Sequence, residues 1–258
     1  MKRSKLITLI VGVLIAGLGI AAVCLTRSAA LAEAAAAGDK VLFALSLICI
    51  LIGILVAVAG VLPDRKPVNV RTLSMAALFA ALCYIGFTYA KIDIPVGAEK
   101  TAFHLGNVFC VLAALFLGGM WGGMAGAVGM TIADLTTAYV TSAPKTFLLK
   151  LCIGLITGFV AHRCFHISRD NVKRRVPLSV ATVLSCAAGM AFNIVADPLV
   201  GYFYKTYVLG VPQEAAGIWV KIGAVTTSVN AVIAVIAASV LYLALRKAMK
   251  RTGLMPRL

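Results

Sequence analysis

The chain has 258 residues, of which 62% are hydrophobic and 13% charged, with a mean hydropathy of +1.02 and a formal net charge of +15. Its apolar runs repeatedly reach the roughly 20 residues that a helix needs to cross a bilayer, which excludes an ordinary soluble domain. The basic excess would suggest nucleic acid in a soluble chain, but here Lys and Arg cluster beside the ends of apolar runs, where they set topology.

In chain order the runs fall at about 5–26, 41–62, 72–90, 102–118, 121–142, 145–162, 177–197 and 217–245, predicting eight transmembrane helices. The first follows "KRSK" and precedes the small-residue stretch "SAALAEAAAAG", as a signal peptide would, but its apolar core exceeds the usual 7–15 residues, so a retained helix is expected. "PDRKPVNVR" (63–71) marks a cytoplasmic linker between a two-helix extension (1–62) and a six-helix core (72–245), and a basic tail occupies 246–258. With alternating helices, sixteen Lys and Arg residues fall on one side and seven on the other, with Lys150 inside a helix, so both termini are expected in the cytoplasm. The expected fold is an all-α polytopic membrane helix bundle.

Within the core, "SMAALFAALCYIGF" sets Ala76 and Ala80, and Ala77 and Ala81, four apart, a stripe that lets a neighbouring helix or subunit approach closely. "FLGGMWGGMAGAVG" predicts a tight turn at Gly118 and Gly119, followed by a helix carrying a Gly122–Gly126 GxxxG spacing. It lacks the Lys-Ser/Thr ending and the preceding strand of a phosphate-binding loop, and no ATPase motif occurs elsewhere. The seven cysteines are scattered without a CxxC pair or a His at ligand spacing; they read as packing residues, with no metal site or cofactor expected.

Polar residues in the apolar runs concentrate at one depth. Asp134 lies about eight residues from the external end of its helix, roughly 12 Å, and Lys150 about five residues into the returning helix, roughly 8 Å. Pro144 suits the first turn of that returning helix. His104 and Asn107 fall in the first turns of an inward helix, Asn193 and Asp197 one turn apart on one face, and Tyr139 and Thr146 near the outer rim. Charges inside a membrane face a cavity or one another. The pattern therefore admits a structural Asp134–Lys150 ion pair, or an outward-open pocket for a small polar heterocycle. Two external loops, 91–103 and 198–217, can act as lids; the second carries Tyr202, Phe203, Tyr204 and Tyr207, for ligand stacking or interfacial anchoring.

Over about 71–245 the chain resembles the substrate-binding S components of energy-coupling factor (ECF) transporters, in particular the riboflavin-type group. The resemblance rests on "HLGNVFCVLAALFLGGMWGGMAGAVGMTIADL", "APKTFLLKLCIGLITG" and the stripe "AALFAAL" in this order. It implies a plasma-membrane subunit of a bacterium that captures a water-soluble vitamin-like ligand outside. Such a subunit works with a transmembrane coupling protein and two cytoplasmic ATPases, and performs no covalent chemistry. Ala76 and Ala80, or Ala77 and Ala81, would meet the coupling protein. His104, Asn107, Asp134, Tyr139, Lys150, Asn193 and Asp197 are the candidate ligand contacts, by depth. The alternative is a stand-alone ion-coupled transporter with Asp134 as ion site. Neither a GxSxG serine with an intramembrane His nor several aspartates on one helix face suggests a membrane enzyme.

Overall fold

The computed structural model describes residues 70–96, 99–168 and 176–253. The expected helices 5–26 and 41–62, most of the 63–71 linker and the end of the basic tail lie outside the described residues. What is described is mostly helical, and five helices are long and apolar enough to cross a membrane.

Helix α1 (Val70–Thr88) buries Ala76, Phe79, Cys83 and Phe87, a stripe at three- and four-residue spacing that faces the core. Leu73, Leu78 and Ile85 on its other side are exposed, as lipid-facing residues would be. After it the expected all-α architecture needs correction. Strands β1 (Lys91–Val96) and β2 (Glu99–His104) pair antiparallel, with Lys91 opposite His104 and Asp93 opposite Ala102. The alternation of Ile92 and Ile94 with Asp93 and Pro95 has the two-residue period of a strand. In a two-stranded ribbon every strand is an edge, so the missing N–H of Pro95 is tolerated. The 91–103 segment is thus a hairpin where a lid loop was expected, and His104 ends a strand where the first turn of a helix was expected.

Helix α2 (Gly106–Leu135) takes in most of the 102–118 and 121–142 runs, starting later and ending earlier than expected, with non-helical backbone at Gly118 (φ 81°, ψ 171°). Only glycine adopts that conformation readily. The chain reverses there. Residues 114 and 122 of a straight helix would be about 12 Å apart, yet a Cβ on Gly122 would fall on the Ala114 backbone, and one on Gly126 would meet Cys110. The arms before and after Gly118 therefore lie side by side, as the expected turn requires.

After a 3₁₀ turn (Val140–Ser142), helix α3 (Ala143–Phe159) begins with Pro144 in its first turn and ends in a π turn, Val160–Cys164. Its Gly154 and Gly158 lie against Gly123 and Gly119 of α2, backbone to backbone. Helix α4 (Leu178–Phe203) continues past its expected end at 197, through Pro198, into a π turn, Tyr204–Val208. Its Gly189 lets α4 approach Thr157 of α3. Helix α5 (Gln213–Arg251) absorbs part of the expected tail, because Arg246, Lys247, Ala248 and Lys250 are good helix formers and cations suit a helix C-terminus. It stops at Gly253, in the left-handed region.

Phe116 stacks between Phe79 of α1 (6.1 Å) and Tyr242 of α5 (4.8 Å), fixing the middle of the core. At the Gly118 end, His162 reaches the Ala114 carbonyl (3.1 Å) and the Ser168 hydroxyl (2.9 Å), while Arg246 donates to the Ile167 carbonyl (2.8 Å). These helices and the hairpin form one compact unit; Tyr202–Ala216 belongs to another, so the expected 198–217 loop is largely helical. In that segment Phe203 packs edge-on to Tyr202 (5.6 Å) and stacks on Tyr207 (6.1 Å).

The Gly154–Gly123 contact leaves no room for a methyl group. Gly154→Ala should lower thermal stability in detergent by about 1–3 kcal/mol or more, as overpacking does. Gly217→Ala, at a helical site with nothing within 4 Å of the new methyl, should be neutral or stabilise by about 0.5–1 kcal/mol.

Candidate functional site

The glycine seam sets the register of the site. Gly119 opposite Gly158 and Gly123 opposite Gly154 define an antiparallel pairing that, carried toward the hairpin end, brings Asp134 level with the first turn of α3. Its carboxylate lies beside the Thr146 hydroxyl. The other arm contact, Gly122 on Ala114 and Gly126 on Cys110, carried the same way, sets Asn107 near Gly129. Lys150 closes the triangle. Side chains on a helix lean toward its N-terminus, so Lys150 reaches back along α3 and its Nζ donates to Asn107 Oδ1 at 2.8 Å.

A second polar link joins three helices. Lys145 of α3 pairs with Asp197 Oδ1 of α4 at 2.8 Å, and Thr227 of α5 donates to Asp197 Oδ2 at 2.7 Å. Asp134, Lys150, Lys145 and Asp197 all lie within electrostatic reach of one another. Asn193 sits one turn from Asp197 on the same helix. Asn107, Asp134, Lys150 and Asn193 are each at most 7% exposed. Asp134 Oδ2, Asn193 Oδ1 and His104 Nδ1 are enclosed yet have no hydrogen-bond partner among the described residues, a condition that buried polar atoms seldom tolerate unless something else completes them.

The hairpin borders this cluster. Asn230 of α5 grips β2 with both ends of its amide: Oδ1 accepts from the His104 N–H and Nδ2 donates to the Ala102 carbonyl, each at 3.0 Å. His104 packs edge-on to Phe87 (4.7 Å), which in turn meets Tyr139 (5.5 Å). Tyr139 donates to Asp93 Oδ1 (2.9 Å), and Lys91 pairs with the same oxygen (3.3 Å) while its ammonium lies 5.0 Å from the Tyr139 ring centre. Burial, with the Lys150 charge adding to it, pulls the His104 imidazole from 6.5 down to about 3, so it is neutral near pH 7. Burial, and then the Asp93 carboxylate it donates to, push the Tyr139 phenol well above its ordinary value.

The structure thus brings His104, Asn107, Asp134, Lys150, Asn193 and Asp197 into one region of the bundle and leaves Tyr139 at its rim. Asp134 and Lys150 do not form an ion pair; Lys145, assigned to an external connection in the sequence reading, pairs with Asp197 instead. Sequence reasoning missed Lys145, Thr227 and Asn230. The last two could have been found as polar positions three apart in "AVTTSVNAV". The alanine stripe resolves into two registers: Ala76 is buried and Ala80 lies against Gly129, whereas Ala77 and Ala81 are exposed. Among the described residues no His, Cys, Asp or Glu group is arranged to hold a metal ion.

Two outcomes follow. Asp197→Ala strands Lys145 and should destabilise the protein by about 1–3 kcal/mol, an effect that shrinks in a Lys145→Met background when the cycle is measured by thermal unfolding. Because folding lowers the His104 pKa, its contribution is intact above pH 6.5 and fades as pH falls toward about 3. His104→Gln should therefore flatten the acid limb of the stability profile.

A family model described as "ECF-type riboflavin transporter, S component" matches residues 67–247. No curated protein and no solved structure matches the chain.

Proposed function

The chain belongs to the ECF-type riboflavin transporter S-component family, and from that premise we propose that it captures a small water-soluble vitamin or vitamin precursor at the hairpin end of its bundle. The family consists of transport subunits, which supports a role without covalent chemistry. The hairpin end would face outside the cell and the Gly118 end the cytoplasm of a bacterium, in keeping with the distribution of Lys and Arg. Counting the two arms of α2 separately, the core would be six helices, with two more in the N-terminal extension. Energy would come from two partner ATPases acting through a transmembrane coupling protein.

One observation carries the reading. Among the described residues, buried unpartnered atoms of Asp134 and His104 lie within electrostatic reach of the Lys150 ammonium, and Asn193, with a third such atom, sits one turn from Asp197. Orphaned polar groups in such surroundings are stabilised when a ligand supplies their hydrogen bonds. An ion-coupled carrier with Asp134 as ion site is not favoured by family membership.

Purified protein should be thermally stabilised by one member of a panel of pyridoxine, hydroxymethylpyrimidine, riboflavin and thiamine, since a ligand that binds only the native state raises stability by mass action. Asp134→Asn and Lys150→Met should reduce that stabilisation without abolishing folding. Failure of the whole panel at millimolar concentration would sink the vitamin assignment. For the partner face, Ala77 and Ala81 are the exposed register, so Ala81→Trp should abolish co-purification with the coupling protein while leaving ligand binding intact. Loss of ligand binding with retained association would reverse the assignment.

A further inference from the structure

The end of α5 remote from the hairpin carries a surface with a chemistry of its own. We infer that Arg71, Lys247 and Arg251 form a binding site for the headgroup of an anionic phospholipid, whose acyl chains lie along the exposed apolar stripe of α5.

Charge is sorted along the bundle. The described carboxylates are Asp93 and Glu99 of the hairpin, Asp134 and Asp197 of the polar cluster beside it, and Glu214 in the first turn of α5. At the other end of α5 stand Arg246, Lys247, Lys250 and Arg251, and no described carboxylate accompanies them. Setting topology requires only more Lys and Arg on one side of the membrane than on the other. Here the cations are also ordered. Lys247 and Arg251 lie one turn apart on one face, both exposed, and neither pairs with a carboxylate among the described residues. Arg246, by contrast, is turned to the Ile167 carbonyl. Arg71 donates to the Gly253 carbonyl, which ties the start of α1 to the end of α5 and brings a third cation within two residues of Arg251.

The apolar half of the surface continues the same face. Ile236, Val240, Leu243, Lys247 and Arg251 recur at three- and four-residue spacing, and all five are exposed. One stripe therefore passes from apolar to cationic along a single helix. Lys247 lies four residues, about 6 Å, beyond Leu243, and the polar layer on each side of a bilayer is about 5–8 Å thick. A phospholipid whose chains cover Ile236, Val240 and Leu243 thus has its phosphate level with Lys247, with Arg251 and Arg71 beyond it. A zwitterionic headgroup would add its own ammonium to this cationic surface, whereas an anionic one would not, and clusters of basic residues just outside a membrane helix select acidic headgroups on that ground. An acidic protein surface would match the cations but leave the apolar stripe beneath them unexplained.

Thermal unfolding of the full-length protein in a neutral detergent, titrated with dioleoyl phosphatidylglycerol or dioleoyl phosphatidylcholine, reads the choice, since a lipid held only by the native state raises stability by mass action. The wild type should reach the same stabilisation at a phosphatidylglycerol concentration at least tenfold lower. Each cation at an anionic surface is worth about fivefold in affinity, so Lys247→Gln with Arg251→Gln should bring the two lipids level. Lys221→Gln, exposed nearer the other end of the same helix, should leave the ratio unchanged. Raising salt to about 1 M should narrow the wild-type ratio, a readout that does not depend on any variant folding. Equal stabilisation by the two lipids, or a ratio unaltered in the double variant, overturns the inference. A double variant that keeps the lipid ratio but no longer co-purifies with the coupling protein assigns the patch to a protein partner and overturns it too. None of these results bears on ligand capture, which the vitamin panel tests separately.

Discussion

Backbone contact between glycines of α2 and α3 is the constraint on which the rest of the structure depends. In a membrane the hydrophobic effect does little to hold helices together, so close van der Waals packing must. Gly119 and Gly123 against Gly158 and Gly154 give such packing, with no side chain between the two backbones. The consequence is positional. A seam this tight admits no sliding, so residues several turns away are placed by it, and Asp134 comes to Thr146 and Lys150 to Asn107. Gly118 contributes a reversal that lets the two arms of α2 pack on each other, which brings Asn107 to the same level.

With the seam fixed, polar residues can be held within an apolar bundle at tolerable cost. Asp197 is completed by Lys145 and Thr227 from two neighbouring helices, and Asn230 satisfies two backbone groups of the hairpin with one amide. Their hydrogen bonds close within the protein. Among the described residues Asp134, Asn193 and His104 each keep a buried atom without a partner, as do Thr131 and Thr157 elsewhere in the bundle. Binding energy is better supplied by groups already oriented and dehydrated than by groups that must be ordered on contact.

Much of this was legible in the sequence. The long apolar runs, the Gly118 turn, Pro144 at a helix start and the confinement of His104, Asn107, Asp134, Lys150, Asn193 and Asp197 to one end follow from period, propensity and depth. The hairpin was missed because "KIDIPVGAEKTAF" is short, polar and interrupted by Pro95, and its strands are recognisable chiefly through their pairing with each other. Helix α4 runs through Pro198 although a proline disfavours a helix interior, so its expected end at 197 came too early. Pairing of Lys145, rather than Lys150, with the buried carboxylate of a neighbouring helix depends on side-chain direction. Depth put Lys150 within the helix and Lys145 in an external connection, and so offered only Lys150 as a partner for a buried carboxylate. Thr227 and Asn230 were overlooked because hydroxyls and amides on a long helix usually bond to their own backbone, as Ser228 does.

In the proposed function, the hairpin end of this glycine-packed bundle holds Asp134, Asn193 and His104 ready for a vitamin-like guest. Native mass spectrometry of the detergent-purified protein, after incubation with a water-soluble vitamin mixture and removal of excess, tests this most directly. The account predicts one small organic molecule bound per chain in the wild type, released on denaturation and lost from an Asp134→Asn, Asn193→Ala double variant that still folds. A wild-type spectrum showing only bare protein and lipid adducts, or a guest retained equally by that variant, would contradict it.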